Sequence, residues 1–177
     1  MQHERCEACG FDGARYDDDA LLEVIRSLGP RWQALLAESG AELRRRPAPE
    51  VWSALEYAAH SRDITALHVY GVEQALTIDE PVLPAIDPGL VDSVAEGYAG
   101  ADPDATVAEL GTQSARLAQL AGEAGEAAWT RGLTVGAERH EVRWLLEHAL
   151  HDSVHHLDDV ERGLSVLRAR PTGGPSI

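Results

Sequence analysis

Lysine is absent from this 177-residue sequence, aromatic residues make up only 5%, and there are two cysteines, one methionine and one phenylalanine. All fifteen basic residues are arginine, set against thirty Asp and Glu, for a formal charge of −15 and a pI near 4.8. Such a field repels phosphate backbones and anionic lipid, which argues against nucleic-acid binding as the main role. No apolar run approaches the roughly 20 residues that a bilayer requires, and the start MQHERCEACG lacks the features of a signal peptide. A cytoplasmic protein with no membrane or nucleic-acid partner is expected. Two cysteines in one short segment give no disulfide framework. The few aromatics leave the core to Leu, Val and Ala.

What is present reads as one globular domain: 44% hydrophobic and 25% charged residues, in a chain long enough to bury a core without staples. Residues 1–16 hold Cys6-x-x-Cys9-Gly10 and are expected as a mobile, non-helical arm. Asp17-Asp18-Asp19 caps a helical pattern of Leu21, Leu22, Ile25, Leu28, Trp32, Leu35 and Leu36, with a kink or break expected at Gly29-Pro30. A second helix is expected from Pro49 or Glu50 to about Ile78. Prolines 81, 84 and 88 punctuate a crossover from Asp79 to Gly100. Pro103-Asp104 opens a third helix with Val107, Leu110, Leu117 and Leu120 on one face. Trp129 to Val135 alternates like a short extended segment, and a fourth helix runs from about His140 to Leu167. The fold class expected is all-α, a four-helix bundle over residues 17–168 with a long crossover between helices 2 and 3 and a flexible tail over 169–177.

Five of the eight histidines fall between positions 140 and 156. At about 100° per residue the fourth helix has an apolar face of Leu145, Leu146, Ala149, Leu150, Leu157, Val160 and Leu164. His156 lies inside that face and Asp152 at its edge, with His148 a further turn back. The more conspicuous His151 and His155 point away from it beside Glu147 and Asp158, as solvated residues that crossing helices can still recruit. On the second helix Tyr57, His60, Ile64, Leu67, Gly71, Ala75 and Ile78 form one stripe, which embeds His60 in a core-facing line. A core histidine satisfied by hydrogen bonds is the simpler reading of either residue alone. An Asp and a His four apart project together, however, and a His from a facing helix closes a three-ligand site. That donor set suits zinc, nickel or iron(II). His148 or Asp63, one turn from ligand positions, can orient a ligand. The Arg44–Arg46 run reads as a solvated turn, with contact to an anionic group as the alternative.

The string Val51-Trp52-Ser53-Ala54-Leu55-Glu56-Tyr57-Ala58-Ala59-His60 resembles the tryptophan-to-histidine approach of the DinB-like superfamily, and His151-Asp152-Ser153-Val154-His155-His156-Leu157 resembles its second motif. The resemblance implies a four-helix bundle that binds a divalent metal through one His on the second helix and a pair four apart on the fourth. Aligned on His155-His156-Leu157, those positions are His60, Asp152 and His156. A carboxylate at the earlier position of the pair is similar to the branch related to mycothiol-dependent maleylpyruvate isomerase. The Cys6/Cys9 arm resembles a cysteine arm in a subgroup of these proteins; a structural zinc there needs four ligands, with only His3 as an obvious third, and a redox pair or an interchain thiol stays open. By the resemblance the activity is a metal-dependent transfer or isomerisation that uses mycothiol or another small thiol on a small-molecule substrate. Tyr57, Asp63 and His148 are the expected catalytic residues. A hydrolase, cyclase or iron(II) oxygenase, and a non-catalytic binding bundle, are the alternatives. A homodimer stays open.

Overall fold

The computed structural model describes residues 3–85 and 87–169. Among the described residues five α-helices, α1 (Asp18–Ser39), α2 (Ala54–Thr77), α3 (Pro88–Ala95), α4 (Pro103–Ala124) and α5 (Val142–Ala169), accompany three short strands, β1 (Val82–Leu83), β2 (Gly132–Val135) and β3 (Glu138–Glu141). The long helices α1, α2, α4 and α5 form the bundle. Both α1 and α2 pack against α4 and against α5, so α1 and α2 occupy opposite corners and the α1–α2 connection crosses the end of the bundle. No described helix is long and apolar enough to cross a membrane.

Local chemistry sets the helix starts. Asp17 accepts the Ala20 N–H at 2.8 Å and Asp102 accepts that of Ala105 at 2.8 Å, with Pro103 in the first turn of α4. Helix α2 begins at Ala54 rather than at Pro49 or Glu50. Ser53 and Glu56 form a reciprocal capping box, and residues 48–51 close a separate turn through Val51 N–H to Ala48 O. Glu56 is nearly inaccessible at 1% exposure and is gripped by the Arg46 guanidinium. Arg44 donates to the carbonyls of Ala99 and Ala101, and Arg45 to Glu42. The arginine run is an exposed turn, as expected, whose guanidinium groups also clamp neighbouring segments.

Helix α1 continues through Gly29-Pro30 without the expected break. At Gly29 the helix approaches α4 so closely that a Cβ would lie 2.7 Å from the Gly111 Cα, and this packing offsets the hydrogen bond that Pro30 cannot donate. The core is Leu-rich as expected: Leu21, Ile25, Leu28, Trp32, Leu110, Leu117, Leu146 and Leu150 are at most 1% exposed. The α2 stripe departs from expectation. Leu67 and Ile78 are exposed, while the buried face carries Ala54, Leu55, Ala58, Ala59, Val69 and Val72. Small residues permit close helix approach, so here the large apolar residues do not mark the buried side.

The all-α expectation needs correction in two places. The crossover contains α3, and β1 pairs in parallel with β2, which turns through Gly136 (φ 62°) into antiparallel β3. The alternation after Trp129 does become β2, whereas Trp129 itself lies in a 3-10 turn. Nor is the N-terminal segment detached. Arg5 and Asp12 bridge a small hairpin, Phe11 stacks on His151 with ring centroids 5.1 Å apart, and the segment lies against α5. From residue 170 on, the expected tail lies outside the described residues.

Candidate metal centre

The capping box fixes the start of α2, and with it the azimuth at which His60 meets α5. His60 Nε2 lies 3.7 Å and His156 Nε2 3.5 Å from the same Asp152 oxygen, and one donor atom from each of the three lies within 4.8 Å of the others. All three side chains are largely covered. Trp52 packs on His60 (5.2 Å between centroids), Tyr98 from the crossover on His60 (6.2 Å) and Tyr57 on His156 (5.0 Å).

Asp159 accepts a hydrogen bond from His156 Nδ1 at 3.0 Å. A carboxylate only accepts, so Nδ1 carries a proton, and Nε2 is the nitrogen turned to Asp152 and His60. Burial alone would raise the Asp152 carboxyl; hydrogen bonds and charge from His156 and His60 outweigh it and hold the group far below the ordinary carboxylate range. His156 is the converse: burial works downward, and Asp152 and then Asp159 raise it above 6.5. The triad thus stabilises positive charge among covered groups, and two imidazoles with one carboxylate are donors that fit a divalent ion. His60 Nδ1 is buried without a partner, so that ring is held by Asp152 at Nε2 and by its aromatic neighbours.

Of the residues expected to act beside the ligands, Tyr57 is brought to the triad. Burial raises its phenol. Asp63 accepts from Arg62 Nε at 2.7 Å and lies near Tyr98, whose phenol is pushed up to about 12 by burial and then by the Asp63 charge. His148 stands elsewhere: its ring stacks on Trp144 at 4.7 Å and faces Glu4 Oε1 at 3.3 Å. Asp159 and Tyr98 were not legible as site residues. Asp159 carries one signal, its position three residues after His156; Tyr98 carries none within the crossover. A groove of about 600 Å³ lined by Gly29, Pro30, Gln33, Leu43, Val107 and Gly111 lies between α1 and α4 and does not include the triad.

His68, one face round from His60, is 8% exposed and donates Nδ1–H to Ile64 O at 2.7 Å. Burial, with the nearby His148, lowers it from 6.5 to about 4. Because the folded value is depressed, the unfolded chain binds the proton first as pH falls. Stability is complete above about pH 6.5 and falls progressively towards pH 4, by on the order of 3 kcal/mol. Urea midpoints between pH 4 and 7 should show this loss, and His68→Leu should flatten it. An unchanged slope in the variant would assign the acid limb to other groups.

A four-helix bundle in which two histidines and a carboxylate converge from α2 and α5 defines the candidate site. The family model of the DinB superfamily matches residues 18–160, and the chain belongs to that superfamily. Among solved structures it is similar to YfiT from Bacillus subtilis, a probable metal-dependent hydrolase with an unusual four-helix bundle topology. The two align with a TM-score of 0.73 at 16% identity over 86% of this chain and 90% of that one, which shows a shared fold. No curated protein matches the sequence.

Proposed function

We propose that the protein is a divalent-metal-dependent enzyme acting on a small electrophilic molecule, with His60, Asp152 and His156 as ligands of the ion. The observation that carries this reading is the convergence of their donor atoms from α2 and α5, with Asp159 engaging the outer nitrogen of His156. Zinc suits the set best, ahead of nickel or iron(II). When bound, the ion supplies a Lewis acid with open positions that holds a low-molecular-weight thiol, such as mycothiol, as its thiolate near neutral pH. Asp152 and His156 set the charge and direction of that position. Trp52, Tyr57 and Tyr98 shield it from bulk water. Both phenols keep their protons at neutral pH: Tyr57 serves as hydrogen-bond donor to a substrate oxygen, while Tyr98 is held in place by Asp63. Thiol transfer or thiol-assisted isomerisation is favoured by the carboxylate at position 152, the donor set implied by the resemblance to the maleylpyruvate isomerase branch. The fold shared with a probable metal-dependent hydrolase supports a second reading in which water is the nucleophile.

Elemental mass spectrometry on tag-free protein tests the ligands. His60→Ala and His156→Ala should each lose one equivalent of metal while remaining folded; unchanged metal in both variants would remove the reading. Consumption of a small thiol by an electrophile, falling to background in His156→Ala, selects thiol chemistry. Metal-dependent ester or amide cleavage without thiol selects the hydrolase.

A further inference from the structure

The N-terminal segment folds as a knuckle. Cys6 N–H donates to Phe11 O at 3.0 Å, Gly13 N–H donates to Glu4 O at 2.9 Å, and the turn that carries Cys6 and Cys9 ends at Gly10 with φ 73°, a conformation that favours glycine. His3, the third ligand expected from the sequence, is committed elsewhere, donating to Glu147 at 2.8 Å. The knuckle instead sets its two thiols against the two α5 histidines that the helical wheel assigned to solvent. One donor atom from each of Cys6, Cys9, His151 and His155 lies within 4.8 Å of the others, and all four residues are partly buried. Neither cysteine is in a disulfide.

We infer that Cys6, Cys9, His151 and His155 form a second metal site, a closed four-ligand zinc site that clamps the N-terminal knuckle onto α5. Three features beyond proximity point there. His151 Nδ1 lies 3.0 Å from Glu4 Oε1, which leaves Nε2 as the free nitrogen, and that atom is buried with no partner. His155 Nε2 lies 3.6 Å from Asp159 Oδ2, and its Nδ1 faces Cys6 Sγ at 3.8 Å. Each ring thus has a carboxylate at one nitrogen and directs the other inward, the arrangement that fixes the tautomer of a ligating imidazole. Two thiolates and two imidazoles form a soft tetrahedral donor set, and two thiolates neutralise a divalent ion, as a half-buried closed site requires. Binding displaces the two thiol protons.

The site is separate from the His60 triad yet adjoins it, because Asp159 serves His155 and His156 alike. Its role is to fix the segment and the shared carboxylate, with no open position for a substrate.

Cobalt(II) separates the two sites. In reduced, chelator-treated full-length protein, titration should give sulfur-to-cobalt charge-transfer absorption and tetrahedral visible bands that saturate at one equivalent and vanish when zinc is added. The charge-transfer band should persist in His60→Ala/His156→Ala and disappear in Cys6→Ser/Cys9→Ser, with circular dichroism reporting the fold. The visible bands should change in His151→Ala/His155→Ala. A folded, reduced wild type without the charge-transfer band overturns the proposal. So does a full spectrum unaltered by loss of both histidines, or a Cys6–Cys9 disulfide that forms in the presence of zinc. Failure of the triad reading alone leaves the thiolate band intact and removes only the second equivalent.

Discussion

Glu147→Ala is expected to lower the unfolding free energy by about 3 kcal/mol or more, the range found when one partner of a buried charge pair is removed. Glu147 is 0% exposed and accepts from Arg143 Nε at 2.6 Å, His3 Nδ1 at 2.8 Å and the Glu4 backbone N–H at 2.9 Å. Arg143 is itself only 4% exposed, over the Trp129 ring, and reaches Asp18 and the Tyr16 carbonyl at the start of α1. The carboxylate is thus the node at which the N-terminal knuckle, α1 and α5 are joined. Its space is reserved as well, since a Cβ on Gly13 would run into the Glu147 carboxylate. Truncation leaves Arg143 with part of its charge uncompensated and strips two donors of their acceptor. Urea unfolding should show a lower midpoint at unchanged slope. Glu147→Gln, which keeps volume and some hydrogen bonding, should cost less. Hydrogen exchange at Cys6 and Gly13 should quicken in the alanine variant before the bundle opens. A loss below about 1 kcal/mol would mean that water replaces the carboxylate at this node.

The same node explains which parts of the molecule were legible in the sequence. The triad was, because its three residues are set by a 3.6-residue period and by the main core, both of which a helical wheel captures. The buried face of α5 beyond that core was not. Glu147, His151 and His155 look solvated on a wheel, since nothing in α5 indicates that residues 3–16 return to cover them; the covering depends on Phe11, His3 and Glu4, whose own order comes from the contact. In α2 the wheel was misled by size, favouring Leu67 and Ile78 over the alanines that let helices approach. Strands of two and four residues carry too short a period to read, and β1 exists only because β2 supplies its partner. Asp159 went unseen for a related reason: a carboxylate among many on an acidic helix acquires a role only through the histidines it meets.

Asp152→Asn should have the largest effect on metal binding of any single substitution that keeps the side chain's shape. Asp152 is the one anionic donor of the triad, and both imidazoles face the same oxygen. The amide conserves volume while removing the charge that attracts a divalent ion. Affinity measured by competition with a chelator should fall by more than the roughly 10–100-fold that an orienting partner is worth, a scale that Asp159→Asn supplies within the same protein. The metal-free protein offers an independent check. A raised His156 contributes stability that is complete below 6.5 and is lost as pH rises through its folded value, whereas the depressed Asp152 contributes above its ordinary 3.8 and is lost as pH falls through its own. Their pairing therefore stabilises the metal-free fold in the mildly acidic window between, and the contribution declines as pH rises through the raised His156 value. Asp152→Asn should shrink that decline to the part that Asp159 supplies, and weaken metal binding. If the variant binds metal as tightly as wild type and keeps the same pH profile, Asp152 is only a hydrogen-bond acceptor for His60 and His156, and the ion-binding reading of the triad fails with it.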